Sequence, residues 1–491
     1  MKTTEFIERI IRQFRFTPTP DQMVAMETFA RFLADREPNC VMILRGSAGT
    51  GKTSLAAAMV RTLHSLDQKL MLMAPTGRAA KVFSQSSGLQ AYTIHRTIYR
   101  EKSHTGIGGS FNINFNKQRN TLFVADEASM INNTATYDSS FGSGSLLDDL
   151  MQFVYGGEGC RLLLIGDKAQ LPPVGEHEAP ALSASVLASY NMRVYQCDLN
   201  EVLRQNSTSG ILYNATTIRN RLKECAFDLT SGTGNAQAIL PKIRLGSFTD
   251  IVVMPGNEIV ESISSSYSQV GEDETLIITR SNKHANIFNQ GIRNSILDRE
   301  DALCGGDMLM VVKNKYENTK PSPNGNANSK EVSFIANGDR CIVRRVRRFE
   351  DLYGFHFAEV ILQFPDLDDY ELETTIIMDT LTSEAPSLTR EQNEILYNNV
   401  LKDYQDIPLK VDRLKALRQD KYYNALQVKF AYAVTCHKAQ GGQWKHVYVD
   451  QGYMTDDMLT PEYFHWLYTA FTRATEKLFL VNWQKNQIEE T

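Results

Sequence analysis

The sequence has no long apolar run, no closely paired cysteines and no excess of basic residues. No stretch approaches the ~18 uninterrupted apolar residues of a membrane span. The N-terminal segment, MKTTEFIERIIRQFRF, mixes charged and apolar positions and so lacks the apolar core of a signal peptide. The 7 cysteines are scattered without a C-x-x-C pair, which argues against a zinc ribbon or a disulfide framework and favours free thiols. These absences predict a soluble, cytoplasmic protein.

The net charge also restricts the function. It is −5 over 491 residues, with no basic tail, so any nucleic-acid binding must use a local groove and not the overall field of the protein. Hydrophobic residues make up 42% and charged residues 22%, as in ordinary globular proteins. A chain of this length is expected to form two to four domains.

Short apolar runs alternate with helical patterns in the first half of the chain. Alternating strands and helices of this length predict a parallel sheet covered on both faces. The predicted strands are VMILRG (41–46), LMLMAP (70–75), TLFVADE (121–127) and RLLLIGD (161–167).

A second α/β unit is predicted further along the chain, from TLIITR (275–280), VKFAYAVT (428–435) and HVYVD (446–450). It is interrupted by the segment 338–420, in which strand-like sequences precede a polar, helical tail. A smaller insertion at 100–120 has a Gly-rich centre and alternating residues, which favours a β-hairpin.

The segment GSAGTGKT (46–53) matches the P-loop pattern, after an apolar strand and before a helix. In a P-loop, the glycines let backbone N–H groups approach the phosphates; Lys52 would reach the β/γ oxygens and Thr53 would bind Mg²⁺. The predicted nucleotide-binding residues here are Gly46, Ser47, Ala48, Gly49, Thr50, Gly51, Lys52 and Thr53.

Asp126 and Glu127 end a predicted strand. Neighbouring strand residues point to opposite faces, so these are not a facing acid pair of the glycosidase type. Asp126 can instead hold Mg²⁺ while Glu127 turns to the attacking water. Two solvated acids at a strand end are the alternative, and the P-loop favours the catalytic interpretation.

Four more polar residues are candidates whose roles their chemistry leaves open. Gln22 can pair with the N6 and N7 edge of adenine, or it is a surface residue at a helix N-terminus. Gln170, in GDKAQLPPVG, is suited to sensing a γ-phosphate. Arg204 and Arg473 can neutralise charge in phosphoryl transfer, although surface ion pairs are the commoner role of arginine.

The segment TCHKAQGGQW (435–444) places a cysteine beside a histidine. A thiol nucleophile would need an orienting group and an oxyanion hole, and a metal site would need further ligands. The sequence indicates neither, so Cys436 is interpreted as a packing residue.

Seven segments in this order resemble superfamily 1 helicases, in the branch that contains RecD and Dda. The resemblance extends from about residue 16 to about residue 483, and it is specific because independent motifs fall in sequence order. It rests on GSAGTGKT, APTGRAAKVF, VADEASMI, GDKAQLPPV, LNEVLRQ, TCHKAQGGQW and LYTAFTRA.

The resemblance implies a role for each candidate. Lys52, Asp126, Glu127, Gln170, Arg204 and Arg473 would be catalytic, with Thr53 and Asp126 on the metal. Gln22, Gln440 and Gly441 would lie near the nucleotide. The residues implied to contact the nucleic acid are Pro75, Thr76, Gly77, Arg78, His95, Arg96, Thr435 and His437.

The fold expected from this resemblance is α/β, with two RecA-like P-loop parallel-sheet domains, an inserted hairpin and an inserted small β-rich, SH3-like domain. The expected ranges are 1–270 for the first domain with the hairpin at 100–120 as a strand-separating pin, 271–337 with 421–491 for the second, and 338–420 for the insertion.

The expected function is that of an ATP-dependent DNA helicase, using ATP and Mg²⁺ and moving 5′→3′ on single-stranded DNA. It would act at junctions of duplex and single strand, as a monomer, with single-strand-binding, recombination or repair proteins as candidate partners. The alternatives are an RNA helicase, a translocase that does not separate strands, or a nucleotide-dependent DNA-binding subunit of a recombination complex. A small-molecule kinase would leave the second α/β unit and Arg473 unexplained.

Overall fold

The structure is a computed structural model that describes residues 3–101, 111–134, 142–201, 209–231, 242–246, 248–316, 334–455, 458 and 460–489. The chain forms two compact units. The first contains residues 1–253, 439–445 and 453–491, and the second contains residues 254–438 and 446–452. None of the helices in the described ranges combines the length and apolar composition that a bilayer crossing requires.

The helices and strands alternate through much of the chain. The helices are α1 (Thr3–Phe14), α2 (Pro20–Ala34), α3 (Lys52–His64), α4 (Gly77–Ser87), α5 (Ile94–Ile98), α6 (Leu146–Tyr155), α7 (Ala184–Ser189), α8 (Gly210–Ser231), α9 (Ile259–Val270), α10 (Asn282–Ser295), α11 (Asp379–Thr382), α12 (Arg390–Lys402), α13 (Lys410–Gln419), α14 (Cys436–Ala439) and α15 (Pro461–Phe471). The strands are β1 (Cys40–Gly46), β2 (Lys69–Ala74), β3 (Ala91–Thr93), β4 (Tyr99–Glu101), β5 (Phe111–Ile113), β6 (Thr121–Ala125), β7 (Arg161–Gly166), β8 (Arg193–Leu199), β9 (Ile251–Met254), β10 (Thr275–Thr279), β11 (Met308–Val311), β12 (Lys315–Tyr316), β13 (Phe334–Ile335), β14 (Arg340–Leu352), β15 (Phe355–Phe364), β16 (Tyr370–Ile377), β17 (Leu426–Phe430), β18 (Ala433–Thr435), β19 (Trp444–Asp450) and β20 (Ala474–Val481).

The first unit is built on a six-stranded sheet with the order β3-β2-β6-β7-β1-β8. Every pairing in it is parallel. Strands β1, β6 and β7 are almost entirely buried, because helices cover a parallel sheet on both faces. The predicted parallel sheet is therefore confirmed.

The strand order determines where polar residues meet. In a parallel sheet, the carboxyl ends of neighbouring strands lie at one edge, and ligands bind in loops that leave this edge. Strands β6, β7 and β1 are consecutive neighbours. The P-loop, the Asp126–Glu127 pair and the loop that begins at Asp167 follow these strands directly, so all three leave the same edge of the sheet.

The inserted hairpin is present as the antiparallel pair β4 and β5, in which Tyr99 lies opposite Ile113 and Glu101 opposite Phe111. The centre of the hairpin, 102–110, lies outside the described residues. The aromatic ring of Phe111 is buried, whereas Phe115, which follows β5, is 68% exposed. The described part of the hairpin is thus anchored on one side and solvent-facing on the other.

In the second unit, β10 pairs in parallel with β18 and with β19. Strands β11, β14, β15, β16 and β17 form a closed barrel, which is the expected β-rich domain. Its strands β11 and β17 lie outside the segment 338–420, which alone was expected to form it. The helices α12 and α13 pack beside β15 through the buried residues Phe357, Leu396, Val400 and Leu417.

The segment 428–435, which was assigned to the second α/β unit, contributes to two separate strands. Strand β17 ends in the barrel at Phe430, and β18 begins at Ala433 beside β10. The side chain of Asn289 accounts for the break. Its Nδ2 donates to the carbonyl oxygens of Phe430 and Ala433, at 3.3 and 2.9 Å, and its Oδ1 accepts from the Ala433 N–H at 2.8 Å. This side chain satisfies backbone groups that a continuous strand would pair with another strand.

Candidate nucleotide and nucleic-acid sites

The P-loop joins β1 to α3 in a conformation that requires glycine. Gly49 and Gly51 have φ of 79° and 76°, in the left-handed region that glycine adopts without strain. A Cβ on Gly46 would lie 2.7 Å from Thr50 Oγ1 and 2.8 Å from Lys52 Cγ. The glycines therefore set the loop geometry as the sequence predicts.

Lys52 is the first residue of α3, and its ammonium group lies inside the loop. Lys52 Nζ donates to the Ser47 carbonyl oxygen at 3.0 Å and lies 3.9 Å from Asp167 Oδ2. Thr53 follows on the first turn of the helix and is half-buried. Both side chains lie where the positive end of the helix dipole favours phosphate.

Asp126 and Glu127 form the turn that follows β6. Glu127 has a left-handed backbone, with φ of 52°, and its N–H donates to Asp126 Oδ1 at 2.9 Å. Burial and the nearby Glu127 carboxylate raise the pKa of Asp126 to about 7, although the positive charge of Lys52 partly opposes this increase. Asp126 therefore lies within electrostatic range of the P-loop lysine.

Gln22 is buried against the P-loop. Its Nε2 donates to the Thr50 carbonyl oxygen at 3.0 Å, and its Oε1 accepts from the Thr19 N–H at 3.0 Å in the capping box of α2. It is therefore not a surface glutamine. The predicted contact with adenine stays a prediction, and in this conformation the amide is bonded to protein.

Gln170 lies in the loop after β7 and is 5% exposed. Its backbone N–H donates to the Asp167 carbonyl oxygen at 3.3 Å. Within the described residues, its side-chain oxygen is buried without a hydrogen-bond partner. Buried polar atoms of proteins are usually satisfied, so this side chain has capacity for a ligand.

Helix α15 and the segment around Gln440 hold this same loop in place. Thr469 Oγ1 accepts from the Leu171 N–H at 2.7 Å, and His465 Nδ1 lies 2.9 Å from the Ala169 carbonyl oxygen. Gln440 Nε2 donates to the Leu171 carbonyl oxygen at 2.7 Å. Gln440 thus reaches the loop that carries Gln170, within the first unit.

The two predicted arginine fingers have different outcomes. Arg204 lies outside the described residues. Arg473 is 3% exposed, and its guanidinium donates to the Thr469 carbonyl, the Gly442 carbonyl and the Thr472 hydroxyl at 3.1, 3.0 and 3.2 Å. Its role in neutralising phosphate stays a prediction, since in this conformation these donors bind protein.

The segment Pro75–Arg78 begins α4. Thr76 caps the helix by accepting from the Ala79 N–H at 3.2 Å. Gly441, with φ of 74°, lies so close that a Cβ on it would be 3.0 Å from Thr76 Oγ1. Gly441 is thus placed against the predicted strand-binding segment.

Arg78 contacts Gln443 and Trp444, the last two residues of the segment TCHKAQGGQW. Its guanidinium lies over the Trp444 ring, 4.4 Å from the centroid, and donates to the Gln443 carbonyl oxygen at 2.6 Å. Stacking on an indole face is a favourable place for a guanidinium. The arginine is therefore held in place by protein contacts.

His95 and Arg96 differ in exposure. Burial lowers the pKa of His95 to about 4, so the imidazole is neutral at physiological pH and supplies no positive charge to a phosphate. Arg96 is exposed, with its guanidinium 5.5 Å from the centroid of Tyr92, which is 37% exposed. The exposed Arg96–Tyr92 pair suits backbone contact and base stacking, and Tyr92 was not among the predicted site residues.

In the second unit, Thr435 ends β18 and His437 is exposed on α14. Thr435, Lys429 and Lys438 line a small pocket. Cys436 is 1% exposed. The described residues include no group of three or more His, Cys, Asp or Glu side chains that could hold a metal ion.

The structure also shows residues beside the P-loop that no sequence motif predicted. Asp167 and Tyr468 each lie in a segment that contributed another candidate residue. Arg219, on α8, donates to the Ser47 hydroxyl, and no motif marks it. The Tyr468 hydroxyl accepts from the Ala48 N–H at 2.9 Å.

Comparison with known proteins gives matches at both ends of the chain. The family model of an AAA domain matches residues 19–238, and that of a UvrD-like helicase C-terminal domain matches residues 430–481. The expected resemblance to superfamily 1 helicases is confirmed.

Two curated relatives are helicases. The ATP-dependent DNA helicase Dda of Enterobacteria phage T4 is 25% identical over 295 residues, which cover 58% of this chain and 60% of Dda. The ATP-dependent RecD2 DNA helicase of Deinococcus radiodurans is 31% identical over 134 residues, 27% of this chain and 16% of RecD2. The chain thus matches less than two thirds of either relative.

Among solved structures, one of a Pif1 helicase aligns with 97% of this chain and 95% of the Pif1 chain. That structure is described as showing how two coordinating Pif1 helicases unwind forked double-stranded DNA. The TM-score is 0.46 and the sequence identity 14%.

Proposed function

We propose that the protein is an ATP-dependent DNA helicase that moves 5′→3′ along single-stranded DNA and separates the duplex. One observation carries this proposal. The P-loop, the Asp126–Glu127 pair and the loop of Gln170 leave neighbouring strands at one edge of a parallel sheet. Phosphoryl transfer needs phosphate-binding groups, an acid pair and a polar sensor close together.

ATP and Mg²⁺ are the proposed cofactors. The carboxylate of Asp126 and the hydroxyl of Thr53 are hard oxygen ligands of the kind that Mg²⁺ prefers, so the residues present fit this ion. Bound there, Mg²⁺ would neutralise charge on the phosphates. Lys52 would bind the β- and γ-phosphates, and Glu127 would orient the attacking water.

DNA contacts are proposed in each unit separately. Pro75, Thr76, Gly77 and Arg78 would present the N-terminus of α4 to the backbone, and Arg96 with Tyr92 would contact phosphate and base. In the second unit, Thr435 and His437 are proposed to contact the DNA. The hairpin of β4 and β5 would be the pin that divides the strands, and the barrel the inserted domain.

The wider setting is proposed from the same features. The cysteines that the structure describes are free thiols, which suits a cytoplasmic location. A monomer is proposed to act at junctions of duplex and single strand, with single-strand-binding, recombination or repair proteins as partners.

The first test measures ATP hydrolysis with and without single-stranded DNA, using Lys52→Ala as the control. We expect strong stimulation by DNA and at least a ~100-fold lower rate in the variant, because the lysine binds the transferred phosphoryl group. If this holds, duplexes with a 5′ or a 3′ tail test strand separation and direction.

Two outcomes would contradict the proposed activity. RNA that stimulates hydrolysis better than DNA would favour an RNA helicase. A rate that DNA does not change would favour a nucleotide-dependent binding subunit. Separately, preferential opening of the 3′-tailed duplex would reverse the proposed direction and leave the ATPase assignment intact.

A further inference from the structure

The peptide group between Ser47 and Ala48 lies in a ring of polar contacts. The Ala48 N–H donates to the hydroxyl of Tyr468 at 2.9 Å, and this hydroxyl donates to Asp167 Oδ2 at 2.7 Å. The two hydrogen bonds join the P-loop to helix α15, which is more than four hundred residues away in the sequence. The Tyr468 hydroxyl thus acts both as an acceptor and as a donor.

The ring closes through Lys52. Its ammonium lies 3.9 Å from the same Asp167 oxygen and donates to the Ser47 carbonyl at 3.0 Å. The Ser47 carbonyl and the Ala48 N–H belong to one peptide group, so the contacts return to their starting point. This arrangement fixes the orientation of the peptide and the position of the lysine together.

Three members of the ring are shielded from water, whereas Ala48 and Lys52 are half-buried. Tyr468, Asp167 and Ser47 are 1%, 3% and 7% exposed. Burial and the Asp167 carboxylate raise the pKa of the Tyr468 phenol well above its usual value, so the hydroxyl keeps the proton that it donates. Hydrogen bonds in a buried network are stronger than the same bonds in water.

A nucleotide would need the same groups. In a P-loop, backbone N–H groups point to the phosphates and the lysine reaches the β/γ oxygens. Here the Ala48 N–H is bonded to Tyr468, and Lys52 is bonded to Ser47 and attracted by Asp167. Phosphate and ring therefore compete for the same donors.

We propose that Tyr468 is a positioning residue that competes with nucleotide phosphate for the Ala48 N–H and, through Asp167, for Lys52. Binding of ATP opens the ring and releases Tyr468. The inference rests on the proposed nucleotide site and adds to it a residue outside the P-loop that sets nucleotide affinity.

Release of Tyr468 would also affect the contacts that its neighbours on α15 make with the loop of Gln170. The next residue, Thr469, accepts from the Leu171 N–H at 2.7 Å, and His465 contacts the Ala169 carbonyl at 2.9 Å. His465 lies three residues before Tyr468 and four before Thr469, so these side chains share one side of the helix. Occupation of the P-loop can therefore move the loop that carries Gln170.

The test measures the Kd of a fluorescent ADP derivative, with Mg²⁺, for the full chain and for Tyr468→Phe. Loss of the hydroxyl weakens the ring but not the phosphate contacts, so we expect about 3- to 10-fold tighter binding, the equivalent of a typical hydrogen bond. Without ligand, hydrogen exchange of the P-loop amides should be faster in the variant.

The matched control is Tyr463→Phe, on the same helix. Its hydroxyl accepts from Gln487 Nε2 at 3.2 Å, and the residue is 2% exposed. This variant also loses a buried hydroxyl, but one outside the ring, so its Kd should equal that of the wild type.

An unchanged or weaker Kd in Tyr468→Phe would overturn the inference. If that variant fails to fold by thermal melting, Asp167→Asn replaces it. Removing the charge beside Lys52 should also tighten binding, and unchanged or weaker binding there would overturn the inference equally. A wild-type chain that binds no nucleotide would instead refute the proposed function.

Discussion

Charged groups are placed differently in the parallel sheet of the first unit and in the second unit. Strands β1, β6 and β7 bury almost only apolar side chains. Acidic residues follow the ends of β6 and β7, at Asp126 and Asp167. In the second unit, Arg293 and Asp307 are 2% and 0% exposed. The charged side chains of the parallel sheet thus lie at its edge, whereas the second unit has charged side chains in its interior.

The partners of these groups show what the difference means. Arg293 Nε and one terminal nitrogen donate to Asp307 at 3.1 Å each, and the latter nitrogen also donates to the Asp301 carbonyl at 2.6 Å. This guanidinium is satisfied by protein. At the sheet edge, by contrast, the side-chain oxygen of Gln170 has no partner among the described residues. The Arg293–Asp307 pair therefore has a structural role, whereas the amide oxygen of Gln170 is available to a ligand.

The comparison predicts its largest effect on stability at Arg293. Replacing it by leucine leaves Asp307 buried beside Arg299, 3.2 Å away, with its main cation removed. We expect the free energy of unfolding of the second unit to fall by up to about 3 kcal/mol, since the buried carboxylate keeps only one of its two cationic partners. Urea unfolding followed by circular dichroism measures this.

The control is Arg390→Leu, also in the second unit. Arg390 is largely exposed and pairs with Glu394 one turn along α12, a kind of contact that contributes little. If Arg293→Leu cost no more than this control, the interpretation of interior charges as structural would be wrong.

A smaller effect is expected at the edge of the sheet, from Gly441→Ala. Gly441 has φ of 74°, and a Cβ would lie 3.0 Å from both Thr76 Oγ1 and Ala79 Cβ. We expect a loss of about 1–3 kcal/mol, because a non-glycine residue is strained in this conformation. The melting temperature measures the loss.

Gly291→Ala is the matched control. Gly291 lies within α10, and no atom beyond the backbone of its own helix lies within 4 Å of the position that a methyl group would take. Alanine should therefore stabilise the helix by up to about 1 kcal/mol. If Gly441→Ala also stabilised the protein, neither its left-handed backbone nor the contact with α4 would constrain Gly441.

The positions of the edge groups follow from local order, since each comes directly after an apolar strand. GSAGTGKT specifies its own loop geometry, and Asp126 follows a strand that its apolar residues make evident. The alternation of strands and helices was sufficient for the parallel sheet.

Contacts between distant segments could not be predicted. Tyr468 bonds to Ala48 across 420 positions, and Asn289 bonds to the backbone of Phe430 and Ala433, where the chain leaves the barrel. Neither a tyrosine nor an asparagine carries a local signal for such a partner. The second unit was therefore predicted less accurately than the first.

The smallest expected effect concerns Lys429, a buried residue of the second unit. Its ammonium donates to the carbonyl oxygen of Ser383, which is a neutral partner, and burial lowers its pKa from 10.5 to about 8. At neutral pH the folded protein therefore keeps a buried proton at a cost. We expect Lys429→Met to raise the free energy of unfolding by about 1 kcal/mol at neutral pH, once the lost hydrogen bond is subtracted.

The pH dependence gives the sharper test. Between pH 8 and 10.5 the folded wild type has released the proton of Lys429 while the unfolded chain retains it. The unfolded state then binds more protons, so the stability of the wild type rises with pH through this window, and the gain is lost as the pH falls back to 8. The advantage of Lys429→Met should accordingly shrink over the same window, whereas Lys402→Met, at an exposed site on α12, should show no such trend. An advantage that stays constant from neutral pH to above 10.5 would mean that the buried proton is not its cause, and Lys429 would then join Arg293 as a satisfied interior charge.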